Sequence, residues 1–392
     1  MATINWWPFV LYFYTRMAAQ RIHIEQFLEL AKSYPVIDVR SPSEFKHAYI
    51  PGAYSMPLFS DEERKVVGTI YKQQSRESAI KVGLDFFGPK MSKMIDEVEG
   101  LRNWSSVISL TMGGEPLELK NSKTVLVYCW RGGMRSGAVS WLLDMYGFKV
   151  YTLIGGYKRF RNYILDTFRL PFEFNIVGGY TGSGKTEVLK CLKEKGYPII
   201  DFEAIATHKG SAFGSIGMPA QPGQEMFENL LGTELRTLKE NLNNNPDHSN
   251  PSKPVWIEDE SQRIGLVNIP GDLWKSMRQS PIYFLDIPFE ERLKHIAEEY
   301  GQLDKQKIID AIGRIQDKLG RLNAKNAIQL FEEGNTVESF RILLNYYDKF
   351  YFKALHNREG LNSLLHLIEC NTVTIENANR LMVQPRFQHE KP

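Results

Sequence analysis

The chain has 392 residues, 43% of them hydrophobic and 24% charged, with a formal net charge of +2. It is too long for one ordinary domain and too apolar for a disordered chain, so two or three globular domains are expected, and any nucleic-acid contact must come from local basic patches. Three widely spaced cysteines (Cys129, Cys191, Cys370) form no C-x-x-C, which argues against a disulfide scaffold or a cysteine zinc site and for a reducing, cytoplasmic setting.

In chain order, the run from Trp6 to Tyr14 is apolar and aromatic but far shorter than the ~20 residues that span a bilayer. It lacks a basic leader and a small-residue cleavage site. Residues 1–20 are therefore expected to lie outside the fold, with Met17 as an alternative start, and no membrane contact is expected. A buried strand is predicted at 35–40, turns at 41–43 and 50–53, and helices over 61–123 with a break at Gly113-Gly114. Strands at 124–128 and 150–153 flank a helix-spaced stretch at 136–146, an alternation that implies a parallel sheet.

Between strand and helix sits Cys129-Trp130-Arg131-Gly132-Gly133-Met134-Arg135-Ser136. The thiolate is the reactive form of cysteine, and Arg131, Arg135 and the N-terminus of the following helix would favour it. Gly132 and Gly133 let backbone N–H groups converge, with Ser136, on a persulfide, selenide or oxyanion. Next, Gly155-Gly156-Tyr157-Lys158-Arg159-Phe160-Arg161 mixes cations with aromatics, as binders of looped RNA do. Lys158 and Arg159 are candidate substrate contacts; the rival reading is an amphipathic linker helix with solvated cations. Residues 157–171 are expected to join two domains.

The second half opens with a strand at 172–177 and Gly179-Tyr180-Thr181-Gly182-Ser183-Gly184-Lys185-Thr186, which fits G-x-x-x-x-G-K-[ST]. The glycines let successive N–H groups face an anion, the next helix adds its positive end, Lys185 adds a point charge and Thr186 a hydroxyl for Mg2+. A helix to about residue 195, a strand at 199–201, a polar Asn- and Pro-rich loop at 241–253 and strands at 255–257 and 282–286 follow. From Pro288 onward the pattern is almost entirely helical. The strand at 255–257 ends in Glu258-Asp259-Glu260, where Asp259 is the expected metal ligand and Glu258 its rival. His208, Lys209 and Ser211 lie in a glycine-bearing loop that would line a diphosphate or uridine site, or else form an ordinary surface loop. Arg292, Arg314 and Arg321 are expected on solvated helix faces, the alternative being a clamp on phosphates or tRNA. The fold class expected is α/β: a parallel-sheet domain at 21–156, then a P-loop NTPase-like domain at 172–392 with a helical C-terminal region.

Residues 37–45 (Ile37-Asp38-Val39-Arg40-Ser41-Pro42-Ser43-Glu44-Phe45), Ile50-Pro51-Gly52-Ala53 and the cysteine loop resemble a rhodanese domain. One departure is the C-x5-R spacing from Cys129 to Arg135, where common single-domain rhodaneses have C-x4-R. The longer spacing leaves room for a phosphate-bearing donor and also occurs in cysteine phosphatases, although Tyr128 stands where those place a histidine. From about Arg21 the whole chain resembles the tRNA 2-selenouridine synthase family, a rhodanese domain fused to a phosphate-loop domain. The likeness extends to Asp61-Glu62-Glu63-Arg64, to residues 67–74, to Gly155-Gly156-Tyr157-Lys158, to His208-Lys209-Gly210-Ser211-Ala212-Phe213-Gly214 and to residues 257–265. It implies replacement of the 2-thio sulfur of the wobble uridine by selenium from selenophosphate, through an S-geranyl intermediate made from geranyl diphosphate. On that resemblance Cys129 would be an S-selanylcysteine or persulfide carrier, and the Gly179 to Thr186 loop would hold the prenyl diphosphate with Mg2+. The partners implied are tRNA bearing 2-thiouridine and an enzyme that makes selenophosphate. Three rivals are weighed: a nucleotide-dependent kinase or NTPase fused to a sulfurtransferase; a non-catalytic sensor in which nucleotide binding regulates a degenerate rhodanese module, against which the retained Cys129 and its flanking arginines argue; and a cysteine phosphatase-like enzyme.

Overall fold

The computed structural model describes residues 19–101, 123–243 and 254–382. The expected extension up to residue 18, the Gly113-Gly114 break and residues 244–253 of the polar loop lie outside the described residues. The chain divides into two compact units, Met1–Asp166 and Thr167–Pro392.

The first unit is built on a five-stranded parallel sheet of order β1-β5-β4-β2-β3, where β1 is Gln20–Ile22, β2 Val36–Asp38, β3 Tyr54–Ser55, β4 Thr124–Tyr128 and β5 Lys149–Leu153. All of β4 is buried, as a central strand covered on both faces requires, and it pairs Val127 with Ile37 on one side and Thr152 on the other. Val125 and Val127 pack with Val139, Leu142 and Leu143 of the helix Met134–Met145. Burying each such side chain stabilises the fold by roughly 1.5–3 kcal/mol. Further helices span Ile24–Ala31, Pro42–His47, Asp61–Gln73, Arg76–Phe87 and Met91–Gly100. The third of these starts on a reciprocal cap: Glu63 N–H donates to Ser60 Oγ and Ser60 N–H donates to the Glu63 carboxylate.

Two boundaries differ from expectation. Gln20, assigned by sequence to the extension, is the first residue of β1 and pairs with Tyr151. Residues 157–171, expected as a linker, are mostly helix Gly156–Thr167, which closes the first unit with Tyr157, Phe160 and Ile164 buried. The apolar spacing that suggested an amphipathic helix was there; the side it packs against was not legible.

The second unit carries a parallel sheet of order β12-β11-β6-β8-β7, with β6 Phe174–Gly178, β7 Ile199–Ile200, β8 Val255–Glu258, β11 Ile282–Asp286 and β12 Leu365–Glu369. The short hairpin of β9 (Arg263–Ile264) and β10 (Val267–Asn268) stands beside it. Strand β12 falls inside the stretch read as helical. It is an edge strand in which only Ile368 is buried, so its sequence carries no strong strand pattern. Helices Phe289–Tyr300, Lys305–Arg314, Arg321–Glu332 and Thr336–His356 form a separate helical core with Phe213 and Ile216. No helix among the described residues is long and apolar enough to cross a membrane. The cysteine loop follows β4, the phosphate loop follows β6 and the acidic cluster follows β8, all at carboxyl ends of parallel strands, where such sheets bind ligands.

Burial pushes Glu234, in the helix Gln224–Asn243, up to about 7; Lys193 opposes this and Asp201 adds to it. A carboxyl raised in the folded state favours folding fully below its ordinary value of 4.5 and loses that advantage as pH rises through 7. Glu234→Gln is therefore expected to stabilise the protein by about 1–2 kcal/mol at pH 8 and to change nothing near pH 4.5. Calorimetric unfolding at the two pH values checks this; a lower midpoint for the variant at pH 8 would contradict it.

Candidate active site

The first unit presents a buried thiol. Cys129 is 3% exposed, its Sγ accepts the Gly133 N–H at 3.3 Å and lies 3.2 Å from Ser136 Oγ. The Ser136 hydroxyl in turn reaches the Gly133 carbonyl at 3.1 Å. Gly133 caps the helix that follows, so the sulfur faces the positive end of that helix. The loop is held by the segment expected as a linker. Tyr157 N–H donates to the Cys129 carbonyl at 2.8 Å and Lys158 N–H to the Trp130 carbonyl at 3.0 Å. This approach requires glycine: a Cβ on Gly156, at φ +57°, would stand 2.2 Å from the Cys129 carbonyl oxygen, and one on Gly132 would stand 2.3 Å from that of Leu153. Tyr157 also covers the Arg40 guanidinium at 3.9 Å, and buried Arg40 grips Asp38 at 2.6 Å. Gly155-Gly156-Tyr157-Lys158 is thus the brace of the cysteine loop.

The two arginines of the loop behave differently. Arg135 is committed to Glu44, with contacts of 2.6 and 3.3 Å. Burial works upward on Glu44, but the hydrogen bond and charge of Arg135 hold its carboxyl below the ordinary range. Arg131 is exposed and has no ion pair among the described residues. Lys158 and Arg159 are also exposed, Arg159 lying 4.0 Å from Glu25.

The second unit presents a cleft of about 510 Å³ whose lining includes Thr181, Gly182, Ser183, Gly184, Lys185 and Thr186. Gly179 stands at the cleft's edge, where its N–H donates to Tyr351 Oη at 3.2 Å and its carbonyl accepts from Lys185 Nζ at 3.1 Å. Gly182 has φ +81°, and a Cβ there would strike Ile296 at 2.7 Å. Arg292, expected on a solvated face, is buried; it donates to the Thr181 carbonyl at 3.0 Å and pairs with Asp348 at 2.7 Å, fixing the loop from behind. Arg321 does lie on an exposed face, beside Asp317, and Arg314 donates to the Ala212 carbonyl.

Opposite the loop, carboxylate oxygens of Glu203, Glu258 and Glu260 lie within 4.8 Å of one another. Glu258 is 1% exposed and neither of its oxygens has a hydrogen-bond partner. Burial drives all three carboxyls upward, against the charge of Lys185; repulsion within the cluster adds to it at Glu258 and Glu260, which reaches about 8, while Asp201 adds to it at Glu203. Thr186 Oγ1 donates to Glu203 at 3.3 Å, joining the cluster to the phosphate loop. A buried anion with no partner is costly, and a divalent cation with oxygen ligands relieves it. Thr186, Glu203, Glu258 and Glu260 therefore fit a magnesium ion.

Asp259, the ligand expected from sequence, faces elsewhere: its oxygens accept from Tyr351 Oη at 2.6 Å and Arg358 at 2.7 Å. The rival, Glu258, occupies the cluster. His208 is not on the cleft wall. It is buried between Gly214 and Gly265, and burial lowers its basicity, whereas Ser211 and Lys209 do line the cleft. Glu203, Trp274, Arg278 and Tyr351 were missed by sequence reasoning. Only Glu203 left a signal, a carboxylate just after the strand Ile199–Ile200.

Comparison with known proteins agrees with this two-site architecture. A rhodanese-like domain model matches residues 23–163, and the tRNA 2-selenouridine synthase AAA domain matches residues 172–365. The tRNA 2-selenouridine synthase of Nitrosomonas europaea is 32% identical over 372 residues, covering 83% of this chain and 90% of its own. That of Bdellovibrio bacteriovorus is 31% identical over 385 residues, covering 87% and 94%. That of Nitrosomonas eutropha is 36% identical over 270 residues, covering 68% and 63%. Because identity at this level runs through both units, the chain belongs to the tRNA 2-selenouridine synthase family, whose named activity is carried out on tRNA.

Proposed function

We propose that the protein replaces the 2-thio sulfur of a wobble uridine with selenium in two transfers, each served by one of its units. In the first, the thiouridine sulfur attacks C1 of geranyl diphosphate, the C–O bond breaks and diphosphate leaves. In the second, the selenium of selenophosphate attacks C2, the expelled geranyl thiolate takes the proton of the Cys129 thiol, and water cleaves the Se–P bond to release phosphate and the proton that restores the thiol. Alkylation converts a poor sulfur leaving group into a good one, which explains why a phosphate loop accompanies a chalcogen site.

The observation that carries this reading is the composition of the cleft. Its phosphate loop and Lys185 suit a diphosphate, while Ile296, Tyr300 and Tyr347 form an apolar wall beside Thr181. Beyond it lies a small apolar pocket of about 20 Å³, lined by Phe213, Phe340, Leu343 and Leu344, so a prenyl chain would lie along the wall in the larger cleft. A prenyl diphosphate presents these two chemistries, one charged and one greasy, in a single molecule. A magnesium ion bound by Thr186, Glu203, Glu258 and Glu260 would neutralise charge on the leaving diphosphate. Lys185 holds the same group from the loop side, and the N–H groups of Gly182 to Thr186 surround it. The Cys129 loop offers an anion cradle at Gly133 N–H and a thiol for the selenium half.

Mass spectrometry of nucleosides from 2-thiouridine tRNA, incubated with geranyl diphosphate and selenophosphate, separates the two halves. Cys129→Ala is expected to stop selenation and let S-geranyl-2-thiouridine accumulate. Lys185→Ala is expected to slow geranylation at least 100-fold, about 2.7 kcal/mol of barrier. Selenouridine formed at the wild-type rate by Cys129→Ala would overturn the role given to the thiol. Glu258→Gln keeps the side-chain shape and removes a cation ligand. It is expected to cut geranyl transfer about 100-fold and to abolish the Mg2+ dependence of geranyl diphosphate binding, read by calorimetry; binding that still depends on Mg2+ as in wild type would contradict the placement.

A further inference from the structure

The cleft of the second unit has a second wall that neither the phosphate loop nor the apolar pit explains. It comes from helix Gly271–Arg278 and the later half of helix Thr336–His356, which contribute Trp274, Arg278 and Phe350 to the lining. These helices contribute no carboxylate to the lining, whereas the opposite side carries Glu203, Glu258 and Glu260. The Arg278 guanidinium lies 5.8 Å from the Trp274 ring, and its only hydrogen bond among the described residues is a long one of 3.4 Å to the Ala354 carbonyl.

Charge at this wall is out of balance. Arg358 stands close enough to Arg278 to repel it, and the one carboxylate near both, Asp259, is already bonded to Arg358 and Tyr351. Burial, then Arg358, presses Arg278 below the ordinary arginine range. Arg358 is itself 4% exposed, with Nε and one terminal nitrogen unpartnered. Two guanidinia sharing one occupied carboxylate favour an incoming anion. The same two helices expose Lys275, Lys349 and Lys353, and Phe350 is 51% exposed. Interleaved cations and open aromatic faces suit a single-stranded, unstacked polynucleotide, with phosphates on the cations and bases on the rings.

We infer that this wall receives the anticodon loop of the tRNA, with a base stacked on Trp274 and an adjoining phosphate held by Arg278. The inference rests on the reading of the cleft as the geranyl-transfer site, since the acceptor sulfur must reach the carbon that leaves the diphosphate. Trp274 and Arg278 are positioning residues: they act on where the nucleotide lies.

The test measures binding of a 2-thiouridine anticodon stem-loop by fluorescence anisotropy, and of geranyl diphosphate by calorimetry, on the full chain. Trp274→Ala and Arg278→Ala are each expected to weaken RNA binding about five- to fiftyfold. Arg278→Ala should also reduce the slope of log affinity against log salt by about one. Trp274→Phe should restore most of the RNA affinity, because a ring still stacks. Geranyl diphosphate affinity should stay at the wild-type value, and in geranyl transfer KM for tRNA should rise more than kcat falls. Unchanged RNA affinity in both alanine variants overturns the inference, as does a loss confined to geranyl diphosphate, which would assign the wall to the donor. Failure of the wild-type chain to bind geranyl diphosphate would instead sink the reading of the cleft, while the RNA measurements would still decide the wall.

Discussion

A carboxylate with no partner organises the second unit. Glu258 ends a buried strand, and neither of its oxygens is hydrogen-bonded, yet Glu203 and Glu260 crowd against it. Burial drives each of the three acids upward, and repulsion within the cluster adds to it at Glu258 and Glu260, so a shared cation would relieve the group. Thr186 belongs at once to that cluster and to the phosphate loop. A metal placed there would meet a polyphosphate at the same point. On the proposed reading, a cation and a diphosphate together would complete the arrangement.

The first unit offers a different device to a negative charge. No metal cluster of three or more ligating residues occurs there among the described residues. Instead a helix N-terminus, the Gly133 N–H and a serine hydroxyl face the Cys129 sulfur. The brace behind it depends on close backbone contact that only glycine permits at positions 132 and 156. Both units thus place their candidate sites at the carboxyl ends of parallel strands, but one offers carboxylates that could hold a cation and the other offers fixed dipoles.

What was legible in the sequence follows from how each feature is assembled. The cysteine and phosphate loops are contiguous, so their glycines, cations and flanking strands could be read directly. The choice between Glu258 and Asp259 was not open to such reading. Successive side chains at a strand end point to opposite faces, and composition does not say which face is inward. Asp259 turned toward Tyr351 and Arg358, some 90 residues or more further on, and no local pattern marks that contact. The same holds for the wall of Trp274, Arg278 and Phe350, joined from two helices. Residues 157–171 do contain the division between the units, but the part that their first turns play in the core of the first unit was hidden for the opposite reason. Their cations and aromatics resembled a recognition segment, whereas burial of Tyr157 and Phe160 makes them part of the core. The edge strand Leu365–Glu369 escaped because one buried side chain leaves almost no periodicity to detect.

Division of labour between the two units is the claim on which the account stands, and supplying the intermediate tests it most directly. S-geranyl-2-thiouridine tRNA, prepared separately, is given with selenophosphate to Lys185→Ala and to Cys129→Ala, and 2-selenouridine is quantified. The account predicts that Lys185→Ala converts this tRNA at close to the wild-type rate while Cys129→Ala leaves it geranylated. Failure of Lys185→Ala on the preformed intermediate, or conversion by Cys129→Ala, would contradict it.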